Sequence, residues 1–336
     1  MTTPDPNAHL ITLNIGLGRD SIAMLCLLVE GKLVANGRTL TPADVDAVIF
    51  SDTGAEWSHT YAQIRPVKRL CKRYGLRFLW LRKPVKTGPK GWRANLRERG
   101  SRALPAWCSG DFESIEDKAR RGAYHRRLPI VDEYMRFGKI AVTVSASCTD
   151  NHKVGPIRRV IDDLARARFG VGNRSWSYRV RAKSWPKHWC LIGIAADEAS
   201  RAIDTGRPAY ELPVYPLVEM GITKDGEAEI LERHGFGGVQ KSGCYMCPYQ
   251  PVGWYWVLRE TDPVRWRKVV DYEAAALAAN PKMHVVGSRP LAETVERWRR
   301  RNPTATFEAV LDKSYSRCAA WVDERQQPLF ADGGAA

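Results

Sequence analysis

A loop with two glycines follows the first apolar run of the chain. Residues 16–21 read Gly-Leu-Gly-Arg-Asp-Ser and come shortly after the strand-like run at residues 10–13. Glycines allow a tight turn and a close approach of the backbone to a ligand. Amides at the start of the following helix favour anions, and Arg19 and the hydroxyl of Ser21 can add donors to phosphate oxygens. These residues predict a phosphate-binding loop.

Basic residues farther along the chain are candidates to complete this site. Lys153, Arg158 and Arg201 can neutralise the charge on a leaving pyrophosphate or sulfonate. An exposed surface position explains each of them equally well. We therefore carry them forward as candidate catalytic residues, together with Asp20.

Acidic residues fit two interpretations. Asp20 is unexpected beside an anion unless it caps the helix or helps to bind Mg²⁺. Asp197 and Glu198 follow the strand-like run at residues 189–194, where open α/β sheets place their ligands. Mg²⁺ binding and capping of the next helix remain equal alternatives for this pair.

Eight cysteines are present, and two of them form a Cys-x-x-Cys pair, Cys244 and Cys247, followed by proline. Two thiolates at this spacing can bind one soft metal ion or form a redox-active dithiol. A structural zinc site would need two more ligands, for which Cys148 and His234 are the nearest suggestions. The residue pattern thus leaves a metal site and a thiol site open. The remaining five cysteines stand alone and are typical of buried, inert thiols.

The order of the predicted elements favours one fold class. Strand-like and helical segments alternate three times between residues 10 and 81, which predicts an α/β fold with a doubly wound, mostly parallel sheet. Further strands are expected at residues 140–144 and 189–194, with an extended piece at 214–217. Residues 84–140 break this rhythm and predict a basic insertion on the ligand side of the sheet, as a lid or a nucleic-acid platform. We expect a nucleotide-binding domain over residues 1–220 and a helical C-terminal region over 221–330.

The composition restricts partners and location. The net charge of +15 favours a polyanionic partner such as DNA or tRNA. We find neither a transmembrane segment nor a secretion signal, so we expect a cytoplasmic protein without membrane contact and without a disulfide framework. Composition says nothing about the oligomeric state.

Several motifs together resemble a known superfamily. The 16–21 loop resembles the Ser-Gly-Gly-x-Asp-Ser loop of PP-loop ATP pyrophosphatases, and Phe-Ser-Asp-Thr-Gly at 50–54 looks like the phosphoadenylyl-sulfate (PAPS) reductase branch. The likeness runs over roughly residues 9–280 and is most similar to reductase-like proteins of phages and mobile elements, relatives of the sulfur-handling protein of DNA phosphorothioation. The other matching segments are Cys148-Thr149, Lys153, Pro156-Ile157, Ile192-Gly193-Ile194, Asp197-Glu198, Arg201, Tyr215-Pro216-Leu217 and residues 241–248.

The resemblance implies a sheet of the HUP type, the adenine nucleotide α-hydrolase fold. The nucleotide, ATP or PAPS with Mg²⁺, would lie across the carboxyl ends of the first two strands. The implied nucleotide-binding residues are Gly16, Leu17, Gly18, Arg19, Asp20, Ser21, Asp52, Thr53 and Gly54. Gly16 stands where PP-loop enzymes usually carry serine, so one phosphate-facing hydroxyl is missing. This departure leaves the choice between ATP and PAPS open.

The resemblance also implies that Cys148 joins Cys244 and Cys247 at a metal. The family's fourth cysteine, in the preceding helix, is missing here, and Cys190 is the remaining candidate for that position. A [4Fe–4S] cluster on three cysteines, Zn²⁺ and a metal-free thiol site stay open. A three-cysteine cluster would leave one iron open, which could carry sulfide.

Three functions follow as alternatives. In the first, an ATP pyrophosphatase adenylates a nucleic acid or a carrier, so that sulfur from a donor protein, or nitrogen, can displace AMP. In the second, a cysteine thiolate reduces PAPS and releases sulfite, for which Cys318 is the late candidate. In the third, the fold binds nucleotide or nucleic acid without turnover. The basic charge and the three cysteines favour the first.

Overall fold

A five-stranded sheet forms the centre of the protein in the computed structural model, which describes residues 5, 7–83, 114–125, 127–141, 147–181, 185–202 and 207–312. The strands of the chain are β1 (Leu10–Asn14), β2 (Leu33–Ala35), β3 (Arg38–Leu40), β4 (Ala47–Ser51), β5 (Phe78–Leu81), β6 (His188–Ile192) and β7 (Glu211–Val214). The central sheet has the order β5-β4-β1-β6-β7, and all its neighbouring pairs are parallel. Strands β2 and β3 form a separate antiparallel pair.

Helices connect and cover the strands. The α-helices are α1 (Arg19–Val29), α2 (Ser58–Ala62), α3 (Ile64–Arg73), α4 (Ile115–Arg120), α5 (Ile130–Phe137), α6 (Ser147–Thr149), α7 (Gly155–Phe169), α8 (Asn173–Arg181), α9 (Pro216–Glu219), α10 (Lys224–Arg233), α11 (Val252–Thr261), α12 (Pro263–Ala279), α13 (Leu291–Arg301) and α14 (Phe307–Asp312). A π-helical turn, Asp150–Val154, joins α6 to α7. None of the helices in the described part of the chain is long and apolar enough to cross a membrane.

Both faces of the sheet are buried. Every residue of β1, β4 and β6 is buried, as in a parallel sheet covered by helices on each side. Val48 and Phe50 pack in one apolar core with helices α1, α3 and α10, whereas Ala47 and Ile49 pack in a second core with α7 and α8. Alternate residues of a strand point to opposite faces, so the sheet is doubly wound, as its sequence predicts.

A third apolar core lies among the C-terminal helices. It contains Trp254 and Tyr272 of α11 and α12, and it also takes in Trp57 and Ile130 from the first part of the chain. Helix α10, by contrast, packs on α1 in the first core. Residues from both sides of position 220 contribute to the first and the third core. The domain boundary expected at that position stays a prediction.

Most predicted strands and helices are confirmed, and two are not. Ile140 and Ala141 are not in a strand, and residues 142–146 lie outside the described residues, as do 84–113 of the expected insertion. The extended piece expected at 214–217 is displaced, because β7 ends at Val214 and Pro216 begins α9. Proline favours the first position of a helix, which accounts for the difference.

Candidate functional site

A cavity of about 150 Å³ lies at the carboxyl edge of the sheet, where β1, β4 and β6 end. Helix α1, which follows β1, covers one face of the sheet, whereas α7 and α8, which lead into β6, cover the other face. Open α/β sheets bind their ligands at such a switch point. The residues around this cavity that carry polar or charged groups, or that form the phosphate loop, are Asn14, Gly16, Gly18, Arg19, Asp20, Ser21, Ser51, Glu56, Lys153, Arg201, Lys241 and Ser242.

The predicted phosphate loop turns sharply between β1 and α1. Leu17 has a φ of +61°, a left-handed conformation that bulky residues rarely adopt, and its side chain is fully buried in the core below. The side chain of Leu17 therefore anchors the loop and does not line the cavity. Gly18 is extended and precedes the first helical residue, and the Ser21 hydroxyl donates to the Gly18 carbonyl over 3.1 Å.

A second loop packs on the phosphate loop from the far end of the chain. A Cβ atom on Gly16 would lie 2.9 Å from the Ser242 Oγ, and one on Gly18 would lie 2.7 Å from the Ser242 backbone nitrogen. Glycine is thus required at position 18, where the conflict is with backbone, whereas the Ser242 hydroxyl could rotate away from a side chain at position 16. Ser242 also lines the cavity, so it brings a hydroxyl next to Gly16, where the family pattern has serine. Sequence reasoning missed this role, although the Lys-Ser-Gly-Cys run at 241–244 was the available signal.

Three basic side chains join Arg19 around the cavity. Lys153 comes from the π-helical turn, Arg201 follows β6, and Lys241 precedes Ser242. The four basic groups outnumber the two carboxyl side chains in the lining, Asp20 and Glu56, so the cavity is electropositive, as binding of a polyphosphate requires. Lys153 and Arg201 are therefore brought together as the sequence predicts, and Lys241 is an addition.

Glu198 holds part of this basic set in place. Its carboxylate forms ion pairs with Arg201, with Lys224 at 2.8 Å and with Lys241 at 3.6 Å, and Glu198 is 7% exposed. Asp197 pairs with Lys224 at 3.4 Å. Neither carboxylate lines the cavity, so the structure supports an ion-pairing role for them in preference to the expected Mg²⁺ site.

Arg158, a third basic candidate, does not reach the cavity. Its Nε donates to Glu211 Oε2 over 3.2 Å, and its guanidinium lines a different cavity on the outer side of α7. The neighbouring Ile157 does line the cavity at the sheet edge. Ile157 thus lines the first cavity, whereas Arg158 is held at Glu211 and lines the outer one. The expectation for Arg158 is corrected accordingly.

The Asp-Thr-Gly run after β4 lies beside the cavity but does not line it. Asp52 accepts hydrogen bonds from Gly54 N at 2.7 Å, Tyr61 Oη at 2.8 Å and Trp80 Nε1 at 3.1 Å. Its carboxylate thus shapes the turn after the strand. Phe50 and Ser51, one step earlier in β4, occupy the cavity wall where these residues were expected.

Buried groups below the π-helical turn fix its position. The Lys83 Nζ lies 2.8 Å from the His152 Nδ1, and the Ser51 hydroxyl donates to the His152 carbonyl over 2.9 Å. Burial lowers the pKa of Lys83 to about 8 and that of His152 to about 2. His152 is therefore a neutral acceptor at neutral pH. This contact attaches the turn that carries Lys153 to the end of β5.

Glu227 of α10 is a buried carboxyl group behind the phosphate loop. Its side chain is fully buried, and burial raises its pKa to about 9, with the negative charges of Asp20 and Asp197 adding to the shift. Arg19 and Lys224 oppose it. Burial thus favours the protonated form of Glu227 at neutral pH, and Asp20 and Glu56 are the carboxyl side chains that line the cavity itself. No sequence motif indicated this residue.

The three candidate metal-binding cysteines line one small cavity of about 30 Å³. Cys148, Cys244 and Cys247 share it with Thr53 and Lys153. Their thiols are soft donors, which fit a metal of the kind expected. Within the described ranges, however, no three His, Cys, Asp or Glu side chains are grouped closely enough to hold a metal ion. The metal therefore stays a prediction.

Cys190, the candidate fourth ligand, lies elsewhere. It is fully buried in the middle of β6, and its Sγ accepts a hydrogen bond from Asn14 Nδ2 over 2.7 Å. It does not line the cysteine cavity. His234, the other suggestion, contacts Glu30 Oε1 at 2.6 Å.

A short antiparallel pairing places the cysteine cavity beside the first one. Glu56 pairs with Cys244 in a β-bridge, Trp57 N donates to Gly243 O, and Tyr245 N donates to Ala55 O. The Thr53 Oγ1 lies 3.3 Å from the Cys244 Sγ and donates to Glu56 Oε1 over 2.7 Å. Lys153 lines both cavities. The thiols thus lie directly next to the electropositive cavity.

No model of a known protein family matches the chain, and no curated protein is significantly similar to it.

Proposed function

We propose that this protein is an adenine nucleotide α-hydrolase of the HUP type, an ATP pyrophosphatase that adenylates an acceptor for sulfur or nitrogen transfer. One observation carries the proposal. The cavity at the switch point gathers the phosphate loop, three serine side chains and four basic side chains, Arg19, Lys153, Arg201 and Lys241. Such a set matches a triphosphate better than a singly charged ligand.

The roles of the residues follow from their positions. The phosphate loop and Ser242 hold the polyphosphate, and Lys153, Arg201 and Lys241 stabilise the charge that builds up on the leaving pyrophosphate. An acceptor oxygen bonds to the α-phosphorus while the bridging oxygen departs with pyrophosphate. Asp20 is the carboxylate that would contact Mg²⁺ brought in with the nucleotide. Sulfur then displaces AMP from the acceptor.

The neighbouring thiols support the choice of sulfur chemistry. Cys148, Cys244 and Cys247 share the wall formed by Lys153, so an adenylated acceptor would lie close to them. An iron–sulfur cluster would be held by these three thiolates and would supply bound sulfide, whereas a zinc ion would bind the same thiolates without supplying sulfur. The acceptor class that we propose is nucleic acid, with a protein carrier as the alternative.

Pyrophosphate release tests this function. Purified protein with Mg²⁺, ATP and the nucleic-acid acceptor is expected to release pyrophosphate, and Lys153→Ala is expected to reduce the rate by about 10²–10³-fold, as removal of one charge-stabilising group does. Lys268→Ala, which removes an exposed lysine of α12, is the matched control and should retain the rate.

Two results would contradict the proposal. Turnover of PAPS to sulfite with inert ATP would establish the reductase alternative. Equal rates for Lys153→Ala and the wild-type protein would show that the cavity does not perform the reaction.

A further inference from the structure

A second and larger cavity, of about 490 Å³, lies along the outer side of α7. It is lined by Gly155, Arg158, Arg159, Asp162 and Arg166 of that helix, and by Arg174 at the start of α8. We call the part formed by Arg158, Arg159, Asp162, Arg166 and Arg174 the arginine groove. Its lining carries four arginines and one aspartate, so it is strongly positive.

The groove follows one face of α7 over a length that can accommodate several phosphates. Positions 155, 158, 159, 162 and 166 recur every three or four residues, which places them in one row. Eleven residues of an α-helix span about 16 Å. Several consecutive phosphates fit along this length, since they follow each other every ~3.4 Å in one strand of a duplex and at wider spacing in an extended strand.

Hydrogen bonds hold three of the arginines in place. The Nε of Arg158 donates to Glu211, that of Arg159 to the Tyr124 carbonyl over 2.6 Å, and that of Arg166 to Asp162 over 3.0 Å. Ordering these long side chains before binding removes part of the entropic cost of holding a ligand. Planar guanidinium groups also match the oxygen spacing of phosphates.

Helix α8 presents an aromatic ring next to the groove. Its inner face is anchored by Trp176, which is fully buried, donates to the Pro186 carbonyl and stacks on Tyr210. Tyr178 is two residues farther, about 200° around the helix, and is 78% exposed. It lies one turn after Arg174, on the same side of the helix. An exposed ring one helical turn from an arginine of the groove is a platform on which a base can stack.

We propose that the arginine groove binds the sugar–phosphate backbone of a single-stranded nucleic acid and that an unpaired base stacks on Tyr178. The excess charge of +15 supplies the general attraction, and the groove and the ring supply the position. The proposal deepens the proposed function by giving its acceptor a docking surface. It rests on that function only for the role of the nucleic acid as acceptor, because binding itself needs no nucleotide cleavage.

Fluorescence anisotropy of the full-length protein with labelled oligonucleotides tests the groove. Single-stranded DNA, single-stranded RNA and duplex DNA of equal length are compared over a series of salt concentrations without ATP. Arg174→Ala is expected to weaken binding to every probe and to lower the salt slope by about 1. Tyr178→Ala should weaken single-strand binding about tenfold and leave duplex binding unchanged, whereas Tyr178→Phe should retain it.

Arg267→Ala is the matched control, because it removes an exposed arginine from α12 on another part of the surface. Wild-type affinity in both Arg174→Ala and Tyr178→Ala would overturn the proposal, as would tight binding of an acidic peptide with no binding of nucleic acid. Comparison of the DNA and RNA probes shows which of the two nucleic acids the groove binds.

If the groove variants lose nucleic-acid binding but ATP is inert, the groove proposal stands and the proposed function fails. If ATP is cleaved while both variants bind normally, the groove fails alone.

Discussion

At the scale of single residues, the carboxyl group of Glu227 shows how one protonation state can prepare an anion site. The side chain is fully buried behind the phosphate loop, and both of its oxygens lack a hydrogen-bond partner among the described residues. Two ionised carboxylates, Asp20 and Glu227, would oppose a triphosphate. Burial raises the pKa of Glu227 to about 9, so that Glu227 adds no negative charge behind the loop at neutral pH.

This pKa predicts a pH-dependent stability. An acid whose pKa rises from 4.5 to about 9 on folding keeps its proton in the folded chain while the unfolded chain loses it. Ionisation therefore favours the unfolded state increasingly from about pH 4.5 to pH 9, and this contribution makes stability fall as pH rises. Glu227→Gln removes it. We expect the melting temperatures of Glu227→Gln and the wild-type protein to be similar at pH 5 and to diverge by pH 8.5, with the variant more stable.

Thermal unfolding at several pH values measures this difference. Other titrating groups affect both proteins equally, so only the gap between the two curves counts. A constant gap between pH 5 and pH 8.5 would show that Glu227 is ionised in the folded protein.

At the scale of elements, the contact between the phosphate loop and the 241–243 loop explains the two glycines. Ser242 approaches both, but not with the same atoms: only its side chain would meet a Cβ of Gly16, whereas its backbone nitrogen and its Oγ would both meet a Cβ of Gly18. A side-chain conflict can be relieved by shortening that side chain. A backbone conflict cannot.

This distinction predicts a fuller rescue at Gly16 than at Gly18. Gly18→Ala should destabilise the protein by about 1–3 kcal/mol, as overpacking does, and Gly16→Ala by less, because the Ser242 hydroxyl can rotate away. Adding Ser242→Gly should recover most of the loss in Gly16→Ala but only part of it in Gly18→Ala, where the conflict with the backbone nitrogen remains. Urea unfolding of the single and double variants gives the coupling free energies. Equal coupling at both positions would contradict the packing described here.

These same elements show what the sequence reveals and what it does not. The alternation of strands and helices up to residue 81 is readable because each strand is a short, fully buried run, and the phosphate loop is readable from its glycines. Ser242 closes over that loop from more than two hundred residues away, and local patterns carry no such pairing. Arg158 was misplaced for a different reason, since the sequence does not say which side of α7 faces the sheet edge.

At the scale of the whole molecule, the sheet brings three distinct surfaces together around the start of α7. The π-helical turn before α7 places Lys153 in the wall of both the electropositive cavity and the cysteine cavity. The first turns of α7 then place Arg158 and Arg159 on the opposite side, in the arginine groove. The π-helical turn and the start of α7 thus lie between the candidate nucleotide site and the candidate nucleic-acid surface, and the turn also borders the cysteine cavity.

The cysteine cavity gives the last prediction, because its three thiols come from two distant parts of the chain and meet only in the folded molecule. Protein purified without oxygen is expected to contain iron and acid-labile sulfide, and Cys148→Ala and Cys244→Ala should each lose both. Cys190→Ala is the control and should keep them, since Cys190 is bonded to Asn14 inside β6 and does not line the cavity. Elemental analysis and the visible absorption spectrum measure the result. Zinc in place of iron would show that these thiols bind a single metal ion and not a cluster. Full metal content in Cys148→Ala would show that only Cys244 and Cys247 bind the metal.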